Sequence, residues 1–530
     1  MTAEPVPALS ATGAARPWWE ARWFLALAVL ATMVPLLYPQ IPPLVDLPGH
    51  IGRYRVELDL AHSPSLQRFY DYHWAPLGTL GVDVLVMALA PLLGLEPAVK
   101  LIILAIPPLT AAGFLWVARE VHGRVPPTAM FALPFIYGFP FLFGFVNFTL
   151  SVALAFLAFG LWLRLGRLER TRIRGWLFAP ISLVLFFCHT YGWGLLGLMC
   201  FSANAVRLRD LGASWVRAGF QAALQVAPMA LPLAVMLLTP GPADGALAGG
   251  WFDWDAKWVA IIGVLRDRWG PFDVTTLEVA GLVFLFALIS PKLRLARRLA
   301  GPALLLAAAF VLLPRFIMDS AYADERLLPY LVALALLAIR RPADPRLGKV
   351  LAIFAAAFFA VRLVGTTTSL ALAADQQQAK LRALDHVPHG ARVATFFGLP
   401  YAEPWSLQRD SHLGGLVIAR RDGFSNDQWI TAGHNLLTLN YRDAGSFSSN
   451  PSQVVRPNGT HDGVYRTIDE ALAQVPRRSF DYVWLLNDLP FDRRLVNDLQ
   501  PVWRGSDSAL YRIPHASGAS PRDGQLSPHR

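Results

Sequence analysis

Long apolar runs, separated by short charged or Pro- and Gly-containing segments, recur through the first 370 residues of this chain. They constrain the fold more than any other feature of the sequence. Runs of about 15 to 25 apolar residues are long enough to cross a bilayer as helices. Because the hydrocarbon core offers no water to backbone polar groups, such segments must be mainly helical. We therefore predict a polytopic α-helical membrane protein with about 11 to 13 spans.

The apolar runs also agree with the composition, which is 54% hydrophobic and only 16% charged. Such values are typical of a polytopic membrane protein and exclude an ordinary soluble enzyme. The first run continues into Pro and Tyr without a small-residue cleavage site, so we interpret it as a retained span. The predicted spans are residues 23–37, 81–93, 98–118, 128–140, 145–163, 176–189, 192–206, 220–238, 277–290, 303–317, 327–339 and 350–364.

Four loops rich in Arg and Lys fall on one side of these spans. They are residues 164–174, 207–217, 292–298 and 340–349. Positively charged loops are typical of the cytoplasmic side, so the net charge of +10 indicates topology rather than nucleic-acid binding. Residues 1–21 are then a cytoplasmic amino terminus, and the outer loops are 41–80, 240–276 and 318–326. This topology requires one early segment, either 81–93 or 128–140, not to cross fully, and the sequence does not choose between them.

The composition changes to that of a water-soluble domain near residue 375. Residues 391–397, 481–487 and 509–513 are predicted strands, and residues 376–385 and 467–474 are predicted helices. We predict a transmembrane domain at 22–370 and a soluble α/β domain at 375–513 on the outer side. Residues 514–530 are rich in Ser, Pro and Gly and are predicted to be a disordered tail.

A single acid, Asp46, follows the first span within about ten residues. Ionisable groups at a membrane boundary usually mark functional sites. Pro48 suits the first turn of a helix, which would place the Asp46 carboxylate beside the positive end of that helix. An apolar stripe predicts that the helix lies along the membrane surface, with His50 and Arg53 on another face. The alternative is that Asp46 only caps the helix and that Arg53 contacts lipid headgroups.

The order of these elements resembles the GT-C superfamily of integral-membrane glycosyltransferases. Residues 46–50, Asp-Leu-Pro-Gly-His, are similar to the first-loop signature of its bacterial protein-mannosyltransferase-like and aminoarabinose-transferase-like members. The resemblance implies a GT-C-like fold, a sugar donor carried on polyprenyl phosphate, and transfer to a glycan, lipid or protein of the cell envelope. It implies that Asp46 is the general base or an acceptor- or metal-orienting group. His50, at the polar end of the same predicted helix, is the second catalytic candidate on the residues alone. Many members have two adjacent acids, whereas this chain has only Asp46.

Transfer from a lipid phosphate requires cations that stabilise the leaving group. The candidates in predicted outer segments are Arg53, Lys257, Arg266, Arg268, Arg315 and Arg326. Candidates for binding the sugar or acceptor are Trp254, His189 and Asp324. Each has an alternative role: Trp254 as an interface anchor, His189 in an interhelical hydrogen bond, and Asp324 in a charged connector.

Other chemistries lack sequence support. The chain has no Walker-type phosphate loop, dinucleotide fingerprint or Gly-x-Ser-x-Gly elbow. No His or acid cluster has the spacing of a metal cage, so no metal ligand is assigned; a divalent cation between Asp46 and Asp253 or Asp324 is left open. The rival functions are a multi-span transporter or lipid flippase and a catalytically inactive GT-C-like scaffold. We expect a multi-pass inner-membrane protein with a periplasmic carboxyl-terminal domain, and partners limited to the donor, the acceptor and the bilayer, without nucleic acid.

Overall fold

The computed structural model describes residues 17–238, 248–317, 320–402, 404–430, 435–460 and 463–515. The predicted disordered tail beyond residue 515, and the part of the cytoplasmic amino terminus before residue 17, lie outside the described residues. The helices are Arg22–Ala31 (α1), Val34–Leu37 (α2), Leu47–Asp59 (α3), Pro64–Phe69 (α4), Gly81–Leu93 (α5), Leu95–His122 (α6), Phe139–Phe143 (α7), Val146–Arg167 (α8), Thr171–Cys188 (α9), Thr190–Asp210 (α10), Trp215–Val226 (α11), Leu231–Leu238 (α12), Trp254–Ile262 (α13), Gly270–Ile289 (α14), Arg297–Leu312 (α15), Leu328–Leu337 (α16), Pro345–Leu381 (α17), Gly415–Arg421 (α18) and Ile468–Gln474 (α19).

The strands lie mainly in the carboxyl-terminal part of the chain. They are Tyr70–Tyr72 (β1), Ala248–Gly249 (β2), Phe316–Ile317 (β3), Arg392–Gly398 (β4), Phe424–Ser425 (β5), Leu437–Leu439 (β6), Val454–Arg456 (β7), Arg466–Thr467 (β8), Tyr482–Leu486 (β9), Gln500–Arg504 (β10) and Ser508–Arg512 (β11). The predicted fold class, a polytopic helical membrane protein with a carboxyl-terminal α/β domain, is confirmed.

Six helices among the described residues are long and apolar enough to cross a membrane. They are Leu95–His122, Val146–Arg167, Thr171–Cys188, Trp215–Leu238, Gly270–Ile289 and Pro345–His386, and three shorter apolar helices accompany them. Several apolar side chains on these helices face outwards, and Trp176, Leu237 and Val216 are each at least 85% exposed. Exposed apolar surface of this kind suits contact with lipid rather than with water. The number of spans, 11 to 13, stays a prediction.

The early segment at residues 128–140 is not one regular helix. It forms a nine-residue 3-10 segment, Ala129–Tyr137, followed by the short α7, and every residue of the 3-10 segment is buried. Long 3-10 stretches are uncommon, and irregular backbone at membrane depth is tolerated where protein surrounds it. By contrast, residues 81–93 form the continuous helix α5. This difference favours 128–140 as the early segment that does not cross fully.

The carboxyl-terminal domain is built on a seven-stranded mixed sheet. Its order is β10-β11-β9-β4-β7-β8, and β5 also pairs with β4. Strand β4 runs parallel to β5, β7 and β9, while β10 and β11 form an antiparallel edge. Every residue of β9, and all of β4 except Arg392, is buried, as expected for central parallel strands. The three predicted strands and the helix at 467–474 are therefore present, whereas residues 376–381 continue α17 rather than beginning a separate helix.

The first outer loop packs into the carboxyl-terminal domain. Strand β1 of the loop pairs with β6 of the domain, and α3 packs against α18. A Cβ on Gly52 would lie 2.5 Å from the Gly415 carbonyl oxygen, and one on Gly415 would lie 2.4 Å from the Pro48 carbonyl oxygen. These glycines allow the two helices to touch through their backbones. The apolar stripe of α3 does not face lipid, because most residues of α3 are buried between the domain and helices α5 and α6. That the helix runs along the membrane surface stays a prediction.

A buried ionic contact connects the domain to the first loop and to the segment before α14. The Arg409 guanidinium donates to the Asp267 carboxylate at 2.7 Å and to the Pro43 carbonyl oxygen at 2.6 Å. Arg409 and Asp267 are 5% and 2% exposed. Loss of one partner from a buried ion pair is strongly destabilising, because it leaves an unpaired buried charge. Arg409 therefore holds the domain firmly against the segment just before Asp46.

Candidate active site

Asp46 immediately precedes α3 in the first outer loop. Its backbone N–H donates to the Phe143 carbonyl oxygen at 2.9 Å. Gly144 approaches closely with φ +103°, and a Cβ there would lie 2.9 Å from the Asp46 nitrogen. The Asp46 side chain makes no capping hydrogen bond to α3 and is only 9% exposed. The structure therefore does not support the helix-cap alternative, and the carboxylate is held in a protein-lined site.

The carboxyl-terminal domain places an imidazole beside this carboxylate. His412 Nε2 lies 3.8 Å from Asp46 Oδ1, and His412 Nδ1 lies 2.6 Å from Asp427 Oδ1. The second oxygen of Asp427 accepts the Gly415 N–H at 3.1 Å. Asp427 is fully buried and His412 is 8% exposed. The imidazole thus lies between two carboxylates, and Asp427 fixes its orientation.

An aromatic ring closes one side of this arrangement. The Trp429 ring lies 4.5 Å from the His412 ring and 5.2 Å from the His50 ring, between centroids. The His50 backbone N–H donates to the Asp46 carbonyl oxygen at 3.1 Å, so α3 presents His50 one turn after Asp46. The structure therefore brings His50 to the site, as predicted, together with two residues from the domain.

The surroundings shift the pKa values of Asp46 and His412. Burial raises the pKa of Asp46 to about 6, although the nearby His412 and Arg326 charges lower it. Burial alone would lower the pKa of His412, but the Asp427 carboxylate outweighs it, so the pKa of His412 is raised. The Asp427 carboxylate therefore favours the protonated form of His412, and the His412 charge in turn favours an ionised Asp46. A base whose pKa lies close to the working pH is suited to proton abstraction.

Arg326 supplies a buried cation near Asp46. Its guanidinium stacks over the Phe145 ring at 3.9 Å, and Nη2 donates to Ser320 Oγ at 2.8 Å and to the Ala321 carbonyl oxygen at 3.0 Å. Its Nε is buried and has no hydrogen-bond partner among the described residues. Buried donors without a partner are rare in native proteins and call for an explanation, such as a bound water molecule or an anionic ligand.

His189 lies beside one of the aromatic rings that surround Arg326. Its ring lies 5.6 Å from the Phe148 ring and 5.5 Å from the Tyr191 ring, and the Arg326 guanidinium lies 5.7 Å from the Tyr191 ring. His189 Nδ1 accepts the backbone N–H of Tyr191 at 3.2 Å. His189 is therefore beside Arg326, and one of its ring nitrogens is engaged in starting α10.

Other predicted cations are engaged elsewhere. Arg53 pairs with the buried Asp83 carboxylate at 2.7 Å. Lys257 donates to the Asp324 carboxylate and to two backbone carbonyl oxygens, at 2.7 to 3.0 Å. Arg266 donates to backbone carbonyl oxygens of residues 404 and 405. Since a Lys ammonium has three donors, Lys257 has none left, and the contacts of Lys257 and Arg266 favour structural roles for these two side chains. Arg53 Nε and Nη2 are buried without a hydrogen-bond partner among the described residues, so Arg53 is held by its ion pair with Asp83.

The remaining predicted binding residues do not contact the Asp46 group among the described residues. Asp324 pairs with Lys257, and the exposed Trp254 lies 6.3 Å from the Phe252 ring at the start of α13. Asp253 caps α13 by accepting the Ala256 N–H. Neither Asp253 nor Asp324 is therefore arranged to share a cation with Asp46. Among the residues that the structure describes, no group of three or more His, Cys, Asp and Glu side chains converges as a metal site.

The sequence-based prediction missed His412, Asp427 and Trp429. These residues are more than 360 positions from Asp46, so only the tertiary fold brings them together. Residues 425–429, Ser-Asn-Asp-Gln-Trp, begin with the last residue of the short strand β5, and the structure buries the first four completely. Buried polar residues are unusual and need partners, but this burial is visible only in the structure.

Comparisons with known proteins identify a broad likeness among solved structures. No protein-family model matches the chain, and no curated protein matches it. Among solved structures, the chain is similar to the crystal structure of ArnT from Cupriavidus metallidurans bound to undecaprenyl phosphate. The two are 12% identical, the match covers 94% of this chain and 99% of that chain, and the TM-score is 0.46. The first-loop resemblance leads one to expect such a match, but at this TM-score it carries no argument about the site or the reaction.

Proposed function

We propose that this membrane protein is a glycosyltransferase. It moves a sugar from a polyprenyl-phosphate donor to a hydroxyl group of a cell-envelope glycan, lipid or protein on the outer face of the inner membrane. The observation that carries the proposal is the buried Asp46 carboxylate, set beside the His412 imidazole and near the buried Arg326 guanidinium. A base and a cation held apart from water are what glycosyl transfer from a lipid phosphate needs.

Asp46 is the proposed general base. The acceptor hydroxyl oxygen attacks the anomeric carbon, the bond from that carbon to the phosphate oxygen breaks, and the hydroxyl proton passes to Asp46. Its pKa of about 6 leaves most of the carboxylate ionised at neutral pH, while making it a better proton acceptor than an exposed Asp. The polyprenyl phosphate departs as an anion and needs no proton from the enzyme.

His412 and Asp427 are proposed as positioning residues. Asp427 holds Nδ1 of the imidazole, so Nε2 faces Asp46 at 3.8 Å. The positive imidazole keeps Asp46 ionised before transfer, since an opposite charge at this distance favours the charged form. The carboxyl-terminal domain is therefore part of the catalytic centre in this proposal rather than a lid over it.

Arg326 is the proposed contact for the donor phosphate. Its buried Nε has no partner among the described residues, and a guanidinium binds phosphate through charge-assisted hydrogen bonds. The aromatic rings of Phe145 and Tyr191 surround it and would pack against the first prenyl unit. Arg326 would thus stabilise the charge that develops as the sugar leaves.

The test is transfer of labelled sugar from a panel of polyprenyl-phosphate sugars to a membrane lipid and glycan extract. Purified wild type is compared with Asp46→Asn and with Asp71→Asn, a change at a more exposed acid in the same loop. We expect transfer by wild type and Asp71→Asn, and a fall of at least about 100-fold in Asp46→Asn, because general-base catalysis contributes on this scale. Equal transfer by both variants would remove Asp46 from the mechanism. No transfer by folded wild type would favour a transporter or scaffold.

A further inference from the structure

A second pocket lies between the long helix α17 and the sheet of the carboxyl-terminal domain. It has a volume of about 410 Å³ and is lined by residues of α17, by the segment before α14, by residues 406–410 and by the ends of β4 and β9. Small-molecule sites have volumes of roughly 300 to 1,000 Å³. This pocket is large enough for a small ligand and is separate from the Asp46 group.

The sheet topology places the pocket where ligands commonly bind. From β4 the chain builds β5, β7 and β8 on one side, and it then returns through α19 to form β9 on the other side. The crevice at the carboxyl ends of β4 and β9 is therefore a switch point of the parallel strands. Phe397 of β4 and Asn487, which directly follows β9, both line the pocket. Open α/β sheets bind ligands at such crevices.

The charges around Lys380 disfavour an anionic ligand at that end of the pocket. Lys380 is a buried ammonium, and it contacts Asp410 at 2.6 Å, Asp507 at 2.7 Å and Asn487 Oδ1 at 3.4 Å. Three acceptors therefore engage its three donors. Arg409 is committed to Asp267 through an ion pair, and the Arg268 guanidinium, which also lines the pocket, donates to Gln376 Oε1 at 3.3 Å. A phosphate or carboxylate placed beside Lys380 would face Asp410 and Asp507, which repel it.

The remaining lining groups suit hydroxyls. Asp410 and Asp507 accept hydrogen bonds, and Gln376, Gln408 and Asn487 both donate and accept them. Trp269, at the rim, is 37% exposed and offers an aromatic surface. Rings of this type pack against apolar faces while polar groups bond at the edges.

We propose that this pocket binds a neutral sugar unit of the acceptor glycan or glycolipid. This inference rests on the proposed glycosyltransferase function, and it names the chemical class of the acceptor. Two carboxylates, three amides, the Arg268 guanidinium and one aromatic rim match a polyhydroxylated ring better than an apolar group. The lipid-linked donor is assigned to Arg326, so the two substrates have different sites.

One short segment connects the two sites. Residues 406–410 line the pocket, while the Arg409 guanidinium bonds to the Pro43 carbonyl oxygen and His412 lies beside Asp46. Ligand contacts with Gln408 or Asp410 would therefore order the segment that positions His412. Acceptor binding in the pocket would therefore help to place His412 beside Asp46, the proposed general base.

The experiment measures sugar binding directly, without requiring transfer. The full chain in lipid nanodiscs is titrated with methyl glycosides of glucose, galactose, mannose and N-acetylglucosamine, and binding is followed by saturation-transfer difference NMR. The variants are Ser406→Trp, which fills the pocket, and Asn487→Gly, which removes the amide. Glycine suits this position because Asn487 has φ +55°. We expect at least one glycoside to bind, with about 10-fold weaker affinity in both variants.

Controls separate this proposal from the proposed function. Asp46→Asn should bind the glycoside as wild type does, even though it should not transfer sugar. Lack of binding by any glycoside to folded wild type, or unchanged binding in both variants, would overturn the pocket assignment. Displacement of the glycoside by inorganic phosphate would make it an anion site, and displacement by a polyprenyl-phosphate sugar would make it a donor site. Should Asn487→Gly fail to fold, Ser406→Trp alone decides.

Discussion

Replacing His412 by Gln tests the charge coupling at the centre of the site. Gln is neutral, keeps a hydrogen-bonding side chain and removes the positive charge 3.8 Å from Asp46. Burial already raises the pKa of Asp46 to about 6, while His412 and Arg326 lower it. Loss of the imidazolium should therefore raise the pKa of Asp46 further, so that the carboxylate protonates at a higher pH.

The size of the effect follows from the distance between Asp46 and His412. Two unit charges 3.8 Å apart interact by about 1 kcal/mol at the dielectric constant of water, and by about 4 kcal/mol at an effective dielectric constant of 20. Since 1.36 kcal/mol corresponds to one pKa unit, the pKa of Asp46 should rise by about one to three units. At pH 7 the ionised fraction would fall from most of the population to about half or less.

Two measurements would detect this change. The first is the acidic limb of kcat/KM for sugar transfer, which should move to higher pH by the same amount. The second is the pH dependence of carbodiimide labelling of Asp46, read by mass spectrometry, which requires no substrate. His389→Gln is the matched control, because His389 is an exposed histidine of the same domain. An Asp46 titration that is identical in wild type and in His412→Gln would refute the coupling.

Further predictions concern the packing around the site. Gly144→Ala should abolish most transfer, because a Cβ there would lie 2.9 Å from the first-loop backbone and φ is +103°. Gly123→Ala is the matched control, since Gly123 has φ +75° but open space around it. This control should lower the free energy of unfolding by only about 1 to 2 kcal/mol and leave transfer unchanged. Asp267→Asn should lower the melting temperature in detergent, since breaking the buried pair with Arg409 costs about 3 to 5 kcal/mol; an unchanged value would show that the pair is dispensable. Thr467→Ala removes a capping box and should cost about 1 kcal/mol in thermal unfolding without altering transfer.

The sequence predicted the elements of this fold well because apolar periodicity is a local property. The apolar runs coincide with helices such as α6 and α8, and the buried strands β4 and β9 were visible as short apolar stretches. Asp46 could be singled out for the same reason, because an acid that closely follows an apolar run is visible in the local sequence. The orientation of α3 could not be predicted, because the partner that buries it, α18, lies far away in the chain.

The site was only partly predictable because its chemistry depends on tertiary partners. Arg53 was a reasonable candidate for a lipid phosphate until the structure paired it with Asp83, an acid within an apolar stretch. Lys257 and Asp324 were assigned separate roles but form one ion pair. His412 lies in the carboxyl-terminal domain, and no feature of the neighbouring sequence distinguishes it from the other histidines of that domain.

The joining of the first outer loop to the carboxyl-terminal domain has a consequence for biosynthesis. Arg409 contacts Pro43 across 366 positions of chain. At about 5 to 20 residues per second, a ribosome needs roughly 20 to 70 s to make the intervening segment. During that interval Asp46 has been synthesised but has neither the His412 imidazole beside it nor the domain that covers it. The site around Asp46 is therefore complete only after the last domain has been made and has folded onto the first loop.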